Sequence, residues 1–338
     1  MEETQKLPMA KTGKIIRTSI YTFLQRYNYF TSTAALLAFP FSVSVLFSQA
    51  CVPSSSSLLL TIYSRLRNLF DAAGFPPSSE FFTILSQKLS QTIFSSILTL
   101  PFTLSFLLIT KAAIIQALKQ NKPTLPLPPS LFSSLLTLYK PLFLTYLCNS
   151  FLILSANATV FSLLFFAFNC LEGFGFSSPN CLLFLSAAGA VLYSIILANA
   201  LIVCSLAMVL SGMERCGGYM AILKACALIR GRTSTALLLA LPVNMALASI
   251  EALFQFRVVR AYHFAGKLGA SMALEGIFIA YLYSIFIVLD TVVICIFFKS
   301  CKTGYWIEQE GRYSYRIEFA GEEDSDVYVR LRTAQEHA

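Results

Sequence analysis

Apolar residues in this chain do not alternate with polar ones; they run together. Six nearly uncharged stretches stand out, at about 31–52, 90–110, 140–168, 181–212, 234–255 and 273–298. Each is near or above the roughly 20 residues that a helix needs to cross a hydrocarbon core of about 30 Å. Inside that core every backbone N–H and C=O must be bonded within the protein, so a spanning segment is either a helix or a strand of a closed barrel. Barrel strands are about ten residues long and alternate apolar with polar positions; these runs do neither. The pattern therefore predicts an all-α membrane protein. Its core is a six-transmembrane helical bundle over 31–298, with a basic amphipathic cytosolic segment at 1–30 and a short cytosolic tail at 299–338.

Composition agrees with this reading. The chain is 56% apolar and only 12% charged, with a mean hydropathy of +0.68, whereas soluble domains carry about 25% charged residues. Charge placement adds orientation. Nineteen of the 25 Lys and Arg residues fall in the N-terminal segment, the second and fourth connections and the tail, and six fall in the alternate connections. Cytosolic segments retain Lys and Arg during insertion, so both termini are expected in the cytosol. The membrane is that of the endomembrane system or the cell surface; no residue pattern names an organelle. A net charge of +8 would suggest nucleic acid in a soluble protein. Beside membrane spans it points instead to anionic headgroups, each cation contributing about 1 kcal/mol near the surface. Membrane lipids are thus the expected partners, with protein partners or a second copy left open and nucleic acid excluded.

Two spans open on nearly the same ten residues. Thr31-Ser-Thr-Ala-Ala-Leu-Leu-Ala-Phe-Pro40 matches Thr233-Ser-Thr-Ala-Leu-Leu-Leu-Ala-Leu-Pro242 at eight positions. Each copy follows a basic segment of helical character, 14–26 and 220–232. Under the expected topology both run outward, so a duplication would be parallel; coincidence in a small apolar alphabet is the alternative. Both basic segments are amphipathic, with Ile15, Ile16, Ile20, Phe23 and Leu24 near one face of the first. Such helices lie in the headgroup plane or pack on neighbouring spans. The prolines of 122–130 deny a helix. The tail alternates in 312–319 and 326–332 around an acidic turn, which suggests a small hairpin.

Candidate chemistry is sparse. No phosphate-cradling glycine loop, zinc motif or nucleophile elbow is present, and the two histidines offer little to activate the many Ser, Thr and Cys side chains. The chain is expected to be non-enzymatic and to need no cofactor and no metal. Asp290 is the most costly residue, a carboxylate inside the sixth apolar run, where insertion costs about 2.5–3.5 kcal/mol. Glu275 and Tyr283 fall on its side of that helix. Such a stripe serves a proton or cation pathway, or else Asp290 simply joins helices by hydrogen bonding. Asn149 in the third run and Asn199 in the fourth lie at a matching depth and are the expected amide partners. Ser186, Ala190, Ser194 and Ala198 form a small-residue seam suited to close helix packing. Cys170 and Cys181 bracket the third connection. An oxidising compartment would permit a bridge between them; two free thiols are the alternative.

The segment around Glu214–Pro242 resembles a widespread group of multi-pass domains. Their cytosolic helix has the form Ala-x-x-x-Ser-x-x-Leu-x-x-Gly-Arg and leads at once into a span. Here it reads Ala221-Ile-Leu-Lys-Ala-Cys-Ala-Leu-Ile-Arg-Gly-Arg232, with Cys226 near the usual Ser. Similar sequences occur in uncharacterised plant membrane proteins and in the membrane domain fused to some glycerophosphodiester phosphodiesterases. The specific match covers about 30 residues. The resemblance implies a helical membrane module; the phosphodiesterase catalytic domain is absent from this sequence, so its activity is not implied. The expectation is a protein that organises or binds lipid or partner proteins. The alternative is a transporter or channel using the polar stripe around Asp290.

Overall fold

A computed structural model describes residues 2–51, 57–72, 80–120, 129–173, 179–265 and 269–302. The Pro-rich connection at 121–128, the middle of the third connection and the tail with its expected hairpin lie outside the described residues. Six helices are long and apolar enough to cross a membrane, and we number them as spans one to six: Tyr27–Ser48, Thr83–Lys119, Leu136–Ala167, Ala187–Glu214, Thr233–Tyr262 and Ala270–Lys302. Each overlaps one apolar run, and the fold is the expected all-α bundle. The helices outlast the runs. Span two has 37 residues, about 55 Å of helix at 1.5 Å per residue, so it continues well beyond a hydrocarbon core.

The spans alternate in direction, because their ends meet at two faces. At one face Lys119 Nζ donates to the carbonyl of Met213 (2.8 Å) and Lys299 Nζ to that of Leu118 (2.8 Å). Arg26 donates to Ala117 O (2.8 Å) and Arg232 to Cys301 O (3.0 Å). The ends of spans two, four and six thus gather with the starts of spans one and five. The Glu214 carboxylate joins them, accepting from Lys224 and Lys302 at 3.2 and 3.0 Å. We call this the basic face. The opposite face carries the Ser48–Ser95 hydroxyl contact (2.7 Å) and the Arg257–Glu275 ion pair (2.9 Å).

The cations at the basic face have a physical task that their membrane-side bias alone does not reveal. The last turn of a helix leaves carbonyls without intrahelical partners and carries partial negative charge. Lys and Arg side chains satisfy both needs. Arg26 and Arg232 are alike in this. Each stands immediately before a span in a similar non-helical conformation, φ −120° with ψ 34° and φ −128° with ψ 15°, and each bonds to the end of an even-numbered span. The two nearly identical ten-residue openings are placed differently behind these arginines: Thr233 follows Arg232 directly, whereas Thr31 lies five residues after Arg26 and its copy contains the π-type turn Ala34–Ala38.

Among the described residues three further helices complete the fold. Glu2–Gln25 and Tyr219–Ile229 belong to the basic face, and Ser57–Ala72 packs its Phe70 among Leu85, Phe161 and Leu164. The first two are integral to the core. Ile15, Ser19 and Phe23 of one, and Ala221, Ile222, Ala225 and Ile229 of the other, are buried, while Ile20, Leu24, Tyr219, Met220 and Leu223 face outward. Each helix thus has a face packed on the bundle as well as an exposed apolar stripe. The turn before Tyr219 is held against span three. Gly218 (φ +75°) donates its N–H to Thr145 Oγ1 at 2.9 Å, and a Cβ on Gly217 would lie 2.9 Å from the Pro141 backbone.

Spans one and two widen into π-type turns at Ala34–Ala38 and Thr103–Leu107, next to Pro40 and Pro101. Before Pro40 the wider turn absorbs the missing ladder bond and the crowding of the preceding turn that a proline brings; the turns at Thr103–Leu107, after Pro101, and at Gln255–Val259 in span five do not precede a proline. The bundle packs in two regions. One, towards the basic face, centres on Phe30, Leu108, Leu142, Leu206, Val288 and Val292. The other centres on Leu46, Ile250, Phe254, Ile279 and Tyr283.

Candidate functional site

Span six has two working faces. Val288 and Val292 are fully buried in the core. Asp290 lies two residues from each, which at 100° per residue turns it to the opposite side. There it shares a stripe with Val293, Ile294 and Phe297, the i, i+3, i+4, i+7 spacing of one helical face. That stripe forms one wall of a cavity of about 400 Å³. Span four supplies the second wall through Ala198, Leu201, Ile202, Ser205 and Leu206, with the same periodicity, and span five the third through residues from Ala236 to Asn244. Small side chains make the space: where Ala198, Ser205, Ala236 and Ala240 stand, the three helices leave a gap that Leu would fill.

Of the 15 lining residues, twelve are apolar and three are polar, namely Ser205, Asn244 and Asp290. The polar three lie near one level. At about 1.5 Å per residue, Asp290 sits about 18 Å from Lys302, Asn244 about 16 Å from Thr233 and Ser205 about 14 Å from Glu214. The apolar lining reaches nearer to the basic face at Ala236, Leu237 and Phe297. Leu201, Leu237 and Leu241 are also exposed on the outside of the bundle, so the cavity opens sideways between spans four and five. Its volume falls within the roughly 300–1,000 Å³ of small-molecule sites.

Opposite charge stands behind Asp290. Lys111 of span two acts electrostatically on Asp290, and also on Cys204 and Cys295. Among the described residues no ion pair within 4.0 Å joins Lys111 to Asp290. Sequence reasoning assigned Lys111 to a connection, since the apolar run pauses there. The structure corrects this: the helix continues through buried Ala112, Ile114 and Ile115 to Lys119.

The other candidates lie elsewhere. Asn149 is buried, but its Nδ2 donates to Cys204 O at 3.0 Å and its Oδ1 is without a bond. Asn199 faces outward and bonds within its own helix, Nδ2 to Ile195 O at 3.0 Å. Neither amide bonds to Asp290, so the expected amide–carboxylate contact is not formed. Glu275 pairs with Arg257 at the opposite face, and the Tyr283 hydroxyl donates to Glu251 at 2.8 Å. The stripe of Glu275, Tyr283 and Asp290 is therefore divided between separate partners. Cys170 stands as a free thiol; the side chain of Cys181 lies outside the described residues. Of the small-residue seam, Ala198 belongs to the cavity wall.

Sequence comparison places these features in a family. Residues 1–312 match the family described as a domain of unknown function, DUF8558. The match covers all of the described residues, and the chain belongs to that family. No curated protein and no solved structure matches it.

Proposed function

We propose that this chain is a non-enzymatic, multi-pass integral membrane protein that binds a membrane lipid in the cavity between spans four, five and six. The observation that carries the reading is the cavity's composition: apolar over twelve of its 15 lining residues and open towards the surroundings of the bundle. In a bilayer, hydrocarbon lies beside that opening, and a groove of this polarity favours acyl or ring carbon over ions. The resemblance of 221–232 to the membrane domain of some glycerophosphodiester phosphodiesterases fits a lipid-associated module and brings no catalytic activity with it. We further propose that the basic face is cytosolic, with both termini on that side. The support is the same Lys and Arg bias, now joined by cations gathered at one end of the bundle.

A transporter is the second reading, because Asp290 and Lys111 place opposite charges deep in the bundle. A pathway would have to pass the Tyr283–Glu251 bond to reach the opposite face.

Purification in native-lipid discs, followed by mass spectrometry of the retained lipids, tests the first reading. The wild type should retain a lipid class that Ala198→Trp, which projects a bulky ring into the cavity, loses. Identical lipid profiles for the two would overturn the proposal, and proton or cation flux in proteoliposomes that Asp290→Asn abolishes would favour transport. Fusion reporters at Gly175 and Ala338 should report opposite sides of the membrane, and Ala338 the cytosolic one; agreement between them would contradict the orientation.

A further inference from the structure

The position of the polar groups within the cavity restricts what can occupy it. This step rests on the lipid-binding reading above and names the class of lipid. Asp290, Asn244 and Ser205 lie about 14–18 Å along their helices from the basic face; those helices extend past a hydrocarbon core of about 30 Å, so this level is below the headgroup layer, in the half of the core nearer the basic face. A phospholipid keeps its phosphate in the headgroup layer, so only its acyl chains reach this depth, and acyl chains leave all three polar groups unmatched. A charged amine at this level would bear a heavy desolvation cost. It would also meet the field of Lys111, which already opposes the Asp290 charge. A hydroxyl fits all three groups: it donates to the Asp290 carboxylate and accepts from the Asn244 amide or the Ser205 hydroxyl.

We infer that the cavity takes a neutral lipid alcohol, a sterol or diacylglycerol-like molecule. Its hydroxyl bonds to Asp290 below the headgroup layer, and its hydrocarbon lies along Leu201, Leu241 and Phe297. The apolar walls supply most of the affinity, and the polar cluster supplies the selection against phospholipid. Discrimination of this kind is steep, because a buried acceptor left without a donor loses the whole bond.

The test uses photoactivatable lipids on the full chain in discs of phosphatidylcholine. Three diazirine probes are compared at equal mole fraction: a sterol, a diacylglycerol, and a phosphatidylcholine with the diazirine deep in one acyl chain. At least one neutral probe should label peptides of spans four to six about tenfold more than the phosphatidylcholine probe. A hydrogen bond to a charged group corresponds to about a tenfold effect or more, so Asp290→Asn should reduce that labelling about tenfold and Asp290→Glu should retain most of it. Asn244→Leu, at the exposed mouth, gives a second reading with little demand on folding and should lower labelling about threefold. If phosphatidylcholine labels the cavity as strongly as the neutral probes, the inference falls while the lipid-binding reading stands. If no probe labels these spans above the other spans, both fall. Neutral-probe labelling that is indifferent to both Asp290→Asn and Asn244→Leu overturns the role of the polar cluster.

Discussion

Asp290 and Glu251 are both acids within long apolar helices, and the bundle treats them in opposite ways. Glu251 receives the Tyr283 hydroxyl at 2.8 Å from the neighbouring span, a bond that fixes spans five and six to each other. Asp290, on the same span as Tyr283, has no such bond among the described residues. It faces a cavity, with the compensating charge of Lys111 acting on it from span two. A polar group satisfied by its own fold is explained by stability. One that the fold leaves open, beside a cavity, is what the proposed lipid ligand would meet. On the lipid-binding proposal the two acids thus divide into one that joins helices and one that meets a ligand.

Neutralising one charge should break that contrast most severely. Lys111→Met leaves the Asp290 carboxylate without its compensating cation and should destabilise the protein by about 2–3 kcal/mol, somewhat less than removing one partner of a buried pair in direct contact. The double variant Lys111→Met with Asp290→Asn should recover most of the loss. Unfolding in mild detergent, followed by thiol labelling of buried Cys204 and Cys295, measures both. A double variant as unstable as the sum of the singles would mean that the two groups do not interact. Tyr283→Phe should cost about 1–2 kcal/mol, the usual range for a lost buried bond, and should leave lipid retention unchanged. A Tyr283→Phe protein that loses its lipid would erase the distinction between the two sites. Arg257→Ala should have the smallest effect, below about 1 kcal/mol, because its pair with Glu275 is 55% and 40% exposed. A larger loss would move Glu275 from the surface into the structural group.

The bundle was readable from the sequence because membrane insertion imposes long apolar runs, and each run overlaps a span. Asp290 was readable as well, since a lone carboxylate in such a run is conspicuous wherever it points. Its surroundings were not. Lys111 looked like the end of a span, although Ala112-Ala-Ile-Ile-Gln-Ala-Leu118 continues the apolar character and was the available signal. Asn149 was placed at the right depth, but depth does not decide direction, and its amide turns to the Cys204 carbonyl. The cavity walls were the least legible feature. Ala198, Ala236 and Ala240 are ordinary helix residues in one dimension, and only the packing of three spans turns them into a gap. The capping role of Arg26 and Arg232 escaped for a similar reason: the membrane-side bias of Lys and Arg is a property of the chain, whereas the carbonyls they reach belong to distant helices.

A high-resolution map of the protein in native-lipid discs tests the central claim most directly. The account predicts elongated non-protein density between Leu201, Leu241 and Phe297, with one end within about 3 Å of the Asp290 carboxylate, hydrogen-bond distance. Spans four and five closed over the same space, with Asp290 bonded to a protein side chain and no density beside it, would contradict it.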